Sequence, residues 1–161
     1  MTSYAGLRSG VGKAMTVTAY VAAVAFLTWT TINNHLGDQL YGRLLMIILS
    51  FPISIIDWFT GDNLFAALRR ERYDVDTTGW DYMALSWPGG MTAIVVAILM
   101  TLSRTQRVGR MMGWLLTAEA VIAGVVIVID QWGPRRSWGW PLIACGIAMA
   151  AGLLLSRRKR P

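Results

Sequence analysis

The chain has 161 residues, of which 55% are hydrophobic and only 15% are charged, and its mean hydropathy is +0.47. Charged residues make up about 25% of an average soluble domain, so this chain has too little polar surface to cover a soluble core. The same figures exclude a disordered chain, and the single cysteine, Cys145, excludes a disulfide-rich secreted scaffold. The composition predicts an all-α, polytopic membrane protein that forms one transmembrane domain over residues 1–161.

The formal net charge of +6 would suggest a nucleic-acid partner if the chain were soluble. Here the arginines and lysines lie between apolar runs, where such clusters usually determine membrane topology. The clusters are Arg104, Arg107 and Arg110; Arg135 and Arg136; and Arg157, Arg158, Lys159 and Arg160. No RNA- or DNA-binding motif accompanies them, so nucleic acid is not an expected partner.

A transmembrane helix needs about 20 mostly apolar residues. Five segments approach that length: 14–34, 41–59, 82–103, 111–131 and 137–156. The first also resembles a signal peptide, since Ala23-Val24-Ala25 is similar to a cleavage site, but the apolar run continues through Trp29, which favours a retained helix. The predicted architecture therefore has about five transmembrane helices.

The second span is the least regular of the five. Its uncharged stretch lies between Arg43 and Asp57, and Pro52 predicts a kink because proline removes a backbone hydrogen bond. Arg43 can extend to the headgroups, which makes a full crossing feasible. The alternative is a re-entrant segment with four full spans elsewhere. The polar connection that follows holds an amphipathic segment, residues 62–73, suited to the membrane interface or to a solvated loop helix.

The third span contains Pro88 near its start. Either Ser86 caps a short helix with Pro88 in the first turn, or a longer helix is broken at the proline.

Small residues on the last two spans predict close helix packing. Alanine and glycine at four-residue spacing let another helix approach, so the fourth and fifth spans are expected to form an antiparallel hairpin. The residues are Ala120 and Gly124 on the fourth span and Ala144, Ala148 and Gly152 on the fifth.

Positive charge determines the orientation only in part. Five spans with the C-terminus inside give eight lysines and arginines inside against seven outside. The re-entrant alternative puts both termini inside, with nine against six. Both arrangements place the Arg104, Arg107 and Arg110 cluster and the C-terminal tail on the cytoplasmic side of a bacterial inner membrane. The favoured arrangement has five spans and an N-terminus outside.

Glu119 is the most informative residue, because it lies near the middle of the fourth span. A charge at that depth costs about 2.5–3.5 kcal/mol on insertion scales, so the protonated carboxyl is favoured. Such a group suits proton coupling or cation binding. The structural alternative is a neutral Glu119 hydrogen-bonded to Thr117, to another helix or to a partner subunit. Asp57 and Asp130, near span ends, either face the headgroups or converge with Glu119 in an acidic pocket.

No cofactor or metal is expected. His35 is the single histidine, and one histidine without neighbouring cysteines does not make a zinc site. Cys145 lies among small residues of the fifth span and is expected to be a packing residue. The chain contains no phosphate-binding glycine loop, serine-hydrolase elbow or metalloprotease helix motif.

Residues 44–56 with Pro52 and Ser54, followed by a polar connection and a glycine-containing span, resemble small multi-pass membrane proteins of actinobacteria. That group has no assigned activity, so the resemblance implies a location and no substrate. The size of the chain and its central glutamate are also similar to small multidrug transporters. Their glutamate belongs to the first helix, whereas Glu119 is on the fourth span, which argues against kinship.

Three functions fit these features. The favoured one is an accessory or regulatory subunit of a larger membrane complex, because catalytic motifs are missing and helix faces carry small residues. The second is a small proton-coupled transporter with Glu119 as the coupling carboxyl. The third is a membrane-embedded enzyme in which Asp57, Glu119 and Asp130 act as acid or base groups on a lipid or isoprenoid. The expected partners are membrane lipids and another membrane protein or a second copy of the chain.

Overall fold

The computed structural model describes residues 3–56 and 79–156, and the regular elements in these two stretches are all helical. This confirms the all-α prediction. The elements are α1, Ser3–Ile32; α2, Gln39–Leu49; α3, Gly79–Thr101; α4, Gln106–Val128; a 3-10 turn, Gly133–Arg135; and α5, Arg136–Leu155. Buried apolar side chains from all five α-helices form one core, which includes Leu27, Leu49, Val96, Leu116 and Leu142.

Three stretches are both long and apolar enough to cross a membrane: Leu7–Ile32, Gln106–Val128 and Gly133–Leu155. Two more apolar helices are shorter, Leu40–Leu49 and Leu85–Thr101. Length and composition within the described residues therefore support a membrane protein with three such helices, and the predicted count of five is not confirmed.

α1 packs antiparallel to α5. Near the start of α1, a Cβ atom added to Gly152 would stand 2.6 Å from the carbonyl oxygen of Gly12, so the two backbones nearly touch. Near the other end of α1, the ring centroids of Trp29 and Trp138 are 5.8 Å apart. The first and last helices are thus neighbours along their length.

α4 and α5 form an antiparallel hairpin, the most extensive helix contact in the described part of the chain. Ala120 is fully buried on α4. One turn further on, a Cβ atom at Gly124 would lie 2.8 Å from the carbonyl oxygen of Gly139. The absence of both Cβ atoms lets the two backbones approach closely.

The small residues of α5 divide between two neighbours. Gly139 and Gly146 face α4, whereas Gly152 faces α1. Ala144 is exposed and Ala148 is half-buried. The contact with α4 is therefore made at glycines, and not along the predicted stripe of Ala144, Ala148 and Gly152, because only a residue without a Cβ atom fits at these closest points.

α2 is about half as long as a crossing helix, since 11 residues rise about 16 Å. It begins at the C-terminal end of α1, where Gly42 contacts Thr31. Asp38 caps it by accepting a hydrogen bond of 2.8 Å from the Leu40 amide. Its last residue, Leu49, contacts the middle of α1. The predicted span 41–59 is therefore interrupted near the centre of the bundle.

The regular helix of α2 ends at Leu49. The Phe51–Pro52 peptide is cis, and residues 53–56 are helical again. Ser54 Oγ donates to the Ile47 carbonyl over 2.7 Å. In a continuous helix, two residues seven positions apart are separated by about 10 Å along the axis, so the chain does not continue as a regular helix from Ile47 to Ser54. Pro52 thus follows the end of α2 instead of kinking it. The predicted amphipathic segment 62–73 lies outside the described residues.

α3 passes through Pro88 without a break, which differs from both arrangements predicted for that position. The helix begins at Gly79, so Pro88 lies in its interior. Thr92 Oγ1 donates to the Pro88 carbonyl over 2.8 Å, and a Cβ atom at Gly89 would stand 2.7 Å from Val24 on α1. The helix therefore continues past the proline where it packs closely against α1.

The bundle has two distinct ends. One, here the terminal end, holds the start of α1, the end of α5 and the connection between α3 and α4, because Gly12 meets Gly152 and Gly113 meets Leu153. The other, here the His35 end, holds the α1–α2 and α4–α5 connections. α2 and α3 both begin at the His35 end.

Candidate functional site

Four elements bring polar side chains to the middle of the bundle. Tyr20 on α1, Ser50 after α2, Thr92 on α3 and Glu119 on α4 form what we call the interior polar cluster, and each is at most 8% exposed. Thr92 and Glu119 are each the fourteenth residue of a 23-residue helix. Polar groups at such a depth are costly, so they mark the first place to look for a function.

Tyr20 joins this cluster to the end of α2. Its hydroxyl donates to the Leu49 carbonyl over 2.9 Å and lies beside the side chains of Ser50 and Thr92. The last four carbonyls of a helix have no donor within the helix itself. Tyr20 therefore supplies a hydrogen bond that a helix ending inside an apolar bundle needs.

Two other hydroxyls complete the end of α2. Thr92 Oγ1 lies 3.3 Å from the Ser50 carbonyl, and Ser54 donates to Ile47. The Ser50 hydroxyl is itself fully buried and has no hydrogen-bond partner among the residues that the structure describes. Tyr20, Thr92 and Ser54 thus place hydroxyls at carbonyls in and just after the end of α2, whereas the Ser50 hydroxyl has no partner among the described residues.

Glu119 is 8% exposed, and its Oε2 atom has no hydrogen-bond partner within residues 3–56 and 79–156. Thr117, one predicted partner, instead donates to the Gly113 carbonyl of its own helix over 2.8 Å. Glu119 is close enough to Tyr20 for the two groups to interact electrostatically. An ionised carboxylate without a donor is strongly disfavoured in such surroundings, so Glu119 is stable in its neutral form.

The end of α2 strengthens this preference. A helix C-terminus carries about half a negative charge, and α2 directs this end at Tyr20, which interacts electrostatically with Glu119. A negative helix end favours a neutral carboxyl or a bound cation nearby. No group of three His, Cys, Asp or Glu side chains that could hold a metal ion occurs in the described part of the chain. A proton is the simplest cation that this cluster can take.

Asp130 lies at the His35 end, in a second group of side chains that we call the Arg135 cluster. Asp130 accepts a hydrogen bond of 2.9 Å from the Trp132 amide and pairs with Arg135 at 3.1 Å. The guanidinium also lies 4.4 Å from the Tyr41 ring and donates to the Leu36 carbonyl. The Trp132 amide, reinforced by Arg135, lowers the pKa of Asp130 below its usual value.

Two of the three predicted acidic residues, Glu119 and Asp130, do not converge. Glu119 and Asp130 are separated by 11 residues of α4 and its last turn, which is about 16 Å along the helix axis. Asp57 lies outside the described residues. Since general acid and base groups must both reach the substrate, this separation counts against an enzyme that uses Glu119 and Asp130 together.

His35 contributes packing at the same end as Asp130. Its ring stacks on Trp138 with centroids 4.6 Å apart and lies 4.7 Å from Trp29. These rings connect the α1–α2 loop to α5.

A shallow cleft of about 320 Å³ opens between α1 and α3, next to the interior polar cluster. Its lining is mostly apolar and consists of Val21, Val24, Ala25, Thr28, Ser86, Gly89 and Gly90. A Cβ atom at Gly89 would stand 3.3 Å from the Ser50 hydroxyl, whereas one at Gly90 would meet nothing within 4 Å. The cleft therefore reaches the cluster from the side of the bundle.

Sequence reasoning identified Glu119 but missed Tyr20 and Thr92 as its surroundings. The available signal was a polar residue near the centre of an otherwise apolar run. This signal has low specificity, because Thr28 shares it and only donates to the Val24 carbonyl of its own helix.

No protein-family model, curated protein or solved structure matches this chain. The resemblance to actinobacterial membrane proteins stays a prediction, and the function is inferred below from Glu119 and its surroundings.

Proposed function

We propose that this protein is a small proton-coupled membrane transporter in which Glu119 binds and releases the coupling proton. One observation carries the proposal: a buried carboxyl oxygen near the middle of α4 has no hydrogen-bond partner among the described residues. Carboxyl groups inside a membrane commonly serve as proton relays. Their ionised form is costly in apolar surroundings, and binding a proton removes that charge.

We also propose a topology of four crossings, made by α1, α3, α4 and α5, with α2 as a re-entrant segment. Five alternating spans would need α2 and α3 to begin at opposite ends of the bundle, whereas both begin at the His35 end. Four crossings put both termini on one side, with nine lysines and arginines there against six opposite. The positive-inside rule then makes the terminal end cytoplasmic.

The cleft between α1 and α3 is the proposed substrate site. Its volume is at the lower limit for small-molecule sites, and its apolar lining suits a small apolar or amphiphilic molecule that enters from the bilayer. Gly89 brings the cleft to within reach of Ser50, a buried member of the interior polar cluster.

Transport in proteoliposomes tests the role of Glu119. Vesicles loaded with a pH-sensitive dye receive an imposed pH gradient and a panel of small apolar and amphiphilic compounds. At least one compound is expected to change the internal pH. Glu119→Gln should abolish this change, because an amide does not gain or lose a proton near neutral pH. Glu119→Asp keeps a carboxyl group and should retain part of the change.

Asp130→Asn is the matched control, since it makes the same carboxyl-to-amide change outside the bundle interior. It should leave proton-coupled transport intact. Transport by Glu119→Gln at the rate of the unmodified protein would contradict the proposal.

The substrate site has its own matched pair of variants. A side chain at Gly90 would enter the cleft, while one at Gly10 on α1 would meet nothing within 4 Å. Gly90→Leu should therefore reduce transport, and Gly10→Leu should not. Equal transport by both variants would place the substrate elsewhere.

The accessory-subunit hypothesis stays a prediction, with a different expected result. Native mass spectrometry of the protein in nanodiscs would then show a second protein at fixed stoichiometry, whereas a transporter complete in itself would carry only lipid or further copies of the chain.

A further inference from the structure

One face of α4 at the terminal end carries two arginines and a tryptophan. Arg107, Arg110 and Trp114 follow the spacing i, i+3 and i+7, which makes each one a neighbour of the next on the helix surface. Arg107 is exposed, Arg110 is half-buried and Trp114 is 37% exposed. Gly109 and Gly113, on the adjoining face, pack closely against α3 and α5. These three residues, which we call the arginine–tryptophan face, therefore lie on the outer side of α4.

The arginine–tryptophan face carries positive charge that the described part of the chain does not balance. Neither of its arginines has an ion pair or a hydrogen bond with another described residue. At the His35 end, by contrast, Arg135 pairs with Asp130. No aspartate or glutamate occurs in residues 82–118, which surround the face, or in the parts of α1 and α5 at the terminal end. An anion from outside the chain would supply the missing negative charge.

The start of α4 is an unfavourable place for these two charges. Like charges close together on a helix face repel each other, and a helix N-terminus itself carries about half a positive charge. Arg107 is the second residue of α4, so its guanidinium group is subject to both effects. A bound anion would relieve both at once.

The depth of the face matches the headgroup region of a bilayer. α4 is long and apolar enough to cross a membrane, and about 20 helical residues span the hydrocarbon core. Twenty residues counted back from Val128, the end of α4, reach Gly109. Arg110 therefore lies at the boundary between hydrocarbon and headgroups, and Arg107 lies just outside it. Trp114 lies about 6 Å deeper than Arg110, among the acyl chains.

We propose that the arginine–tryptophan face is a binding site for an anionic phospholipid. The lipid phosphate accepts charge-assisted hydrogen bonds from the two guanidinium groups, and an acyl chain runs along Trp114. A zwitterionic headgroup is a poorer ligand, because its ammonium group is repelled by the unbalanced arginines. A soluble anion would reach the arginines but would not contact Trp114 inside the hydrocarbon. The inference is independent of proton transport by Glu119.

Lipids with brominated acyl chains test the site, because bromine quenches the fluorescence of a tryptophan in contact with it. The protein is reconstituted in phosphatidylcholine with increasing fractions of brominated phosphatidylglycerol or, separately, of brominated phosphatidylcholine. The difference in emission between the unmodified protein and Trp114→Phe isolates the signal of Trp114. Brominated phosphatidylglycerol should quench this signal at a lower fraction than brominated phosphatidylcholine.

Removal of both arginines should abolish most of this preference. Arg107→Gln combined with Arg110→Gln should lower the relative affinity of Trp114's site for phosphatidylglycerol by roughly fivefold per arginine. Arg8→Gln combined with Arg104→Gln is the matched control, because it removes the same charge at the same end of the bundle but outside the face. This control should keep most of the preference. Lysine at positions 107 and 110 should also keep most of it, since the positive charges stay.

Two fluorescence results would overturn the proposal. Equal quenching of Trp114 by the two brominated lipids would show that the face does not select an anionic lipid. An equal loss of preference in the control at Arg8 and Arg104 would show that lipids respond to the positive potential of the whole terminal end and not to this face.

Native mass spectrometry gives a second measurement that does not depend on tryptophan. Protein released from bilayers with equal amounts of the two lipids should retain phosphatidylglycerol, and the variant with glutamine at positions 107 and 110 should lose it. Equal retention of phosphatidylglycerol by this variant and by the unmodified protein would also overturn the proposal.

Discussion

At the scale of single residues, two serines four positions apart illustrate how a hydrogen bond decides the effect of a substitution. Ser54 donates to the Ile47 carbonyl, whereas the buried Ser50 hydroxyl has no partner in the described part of the chain. Ser54→Ala should lower the free energy of unfolding by about 0.5–1.5 kcal/mol. Ser50→Ala should be neutral or slightly stabilising, because it removes an unsatisfied polar group. Unfolding curves in detergent compare the two, and an equal loss in both would show that Ser50 has a partner.

The lowered pKa of Asp130 predicts how the stability of the protein depends on pH in the acid range. The Trp132 amide and Arg135 lower the folded pKa of Asp130, so its contribution to stability is present above the unfolded pKa of about 3.9 and is lost as the pH falls through the lower folded value. Thermal unfolding in detergent should show a midpoint that falls between about pH 5 and pH 3. Asp130→Asn should weaken this dependence, and a pH profile identical to that of the unmodified protein would contradict it.

At the scale of helices, glycine contacts fix the distance between α4 and α5. A Cβ atom at Gly124 would stand 2.8 Å from a backbone oxygen that cannot move independently. Gly124→Leu should therefore force the hairpin apart and lower the free energy of unfolding by about 1–3 kcal/mol or more. Gly133→Leu is the control, because a Cβ atom there meets nothing within 4 Å. Thermal unfolding that is the same for both variants would show that the hairpin accommodates the side chain.

Helix positions were predictable to different degrees. Apolar length identified α1, α4 and α5 because each is one uninterrupted run. The end of α2 at Leu49 was not predictable, since Pro52 is compatible with both a kinked crossing and a turn, and Tyr20, which holds that end, is distant in sequence. The course of α3 through Pro88 depends likewise on its packing against Val24.

At the scale of the whole molecule, composition was sufficient for the class of protein and insufficient for the number of crossings. The lysine and arginine counts of the two arrangements differ by too little to choose between them. The proposed four-crossing topology rests on the direction of α2 and α3, which depends on tertiary contacts at Gly42 and Gly89. The same holds for the candidate site: Glu119 was evident from its depth, while its neighbours come from three other parts of the chain.

Cysteine labelling can test the proposed topology in a Cys145→Ala background. Arg8→Cys and Ser103→Cys lie at the terminal end, and Asn33→Cys and Gln131→Cys lie at the His35 end. An impermeant maleimide should label the latter two in intact cells, and the former two only after permeabilisation. Opposite accessibility of Asn33→Cys and Gln131→Cys would instead support five alternating spans.

The contact between α1 and α5 has a consequence for how the protein is made. α1 leaves the ribosome before the other described helices, yet α5, which receives its Gly12 face, is synthesised after them. The Thr16 hydroxyl, which lies 3.3 Å from the Met149 carbonyl in the finished bundle, can donate only to its own helix until then. Assembly of the bundle therefore awaits the synthesis of α5, and a chain that stops before α5 would expose the Gly12 face of α1 to the quality-control machinery of the membrane.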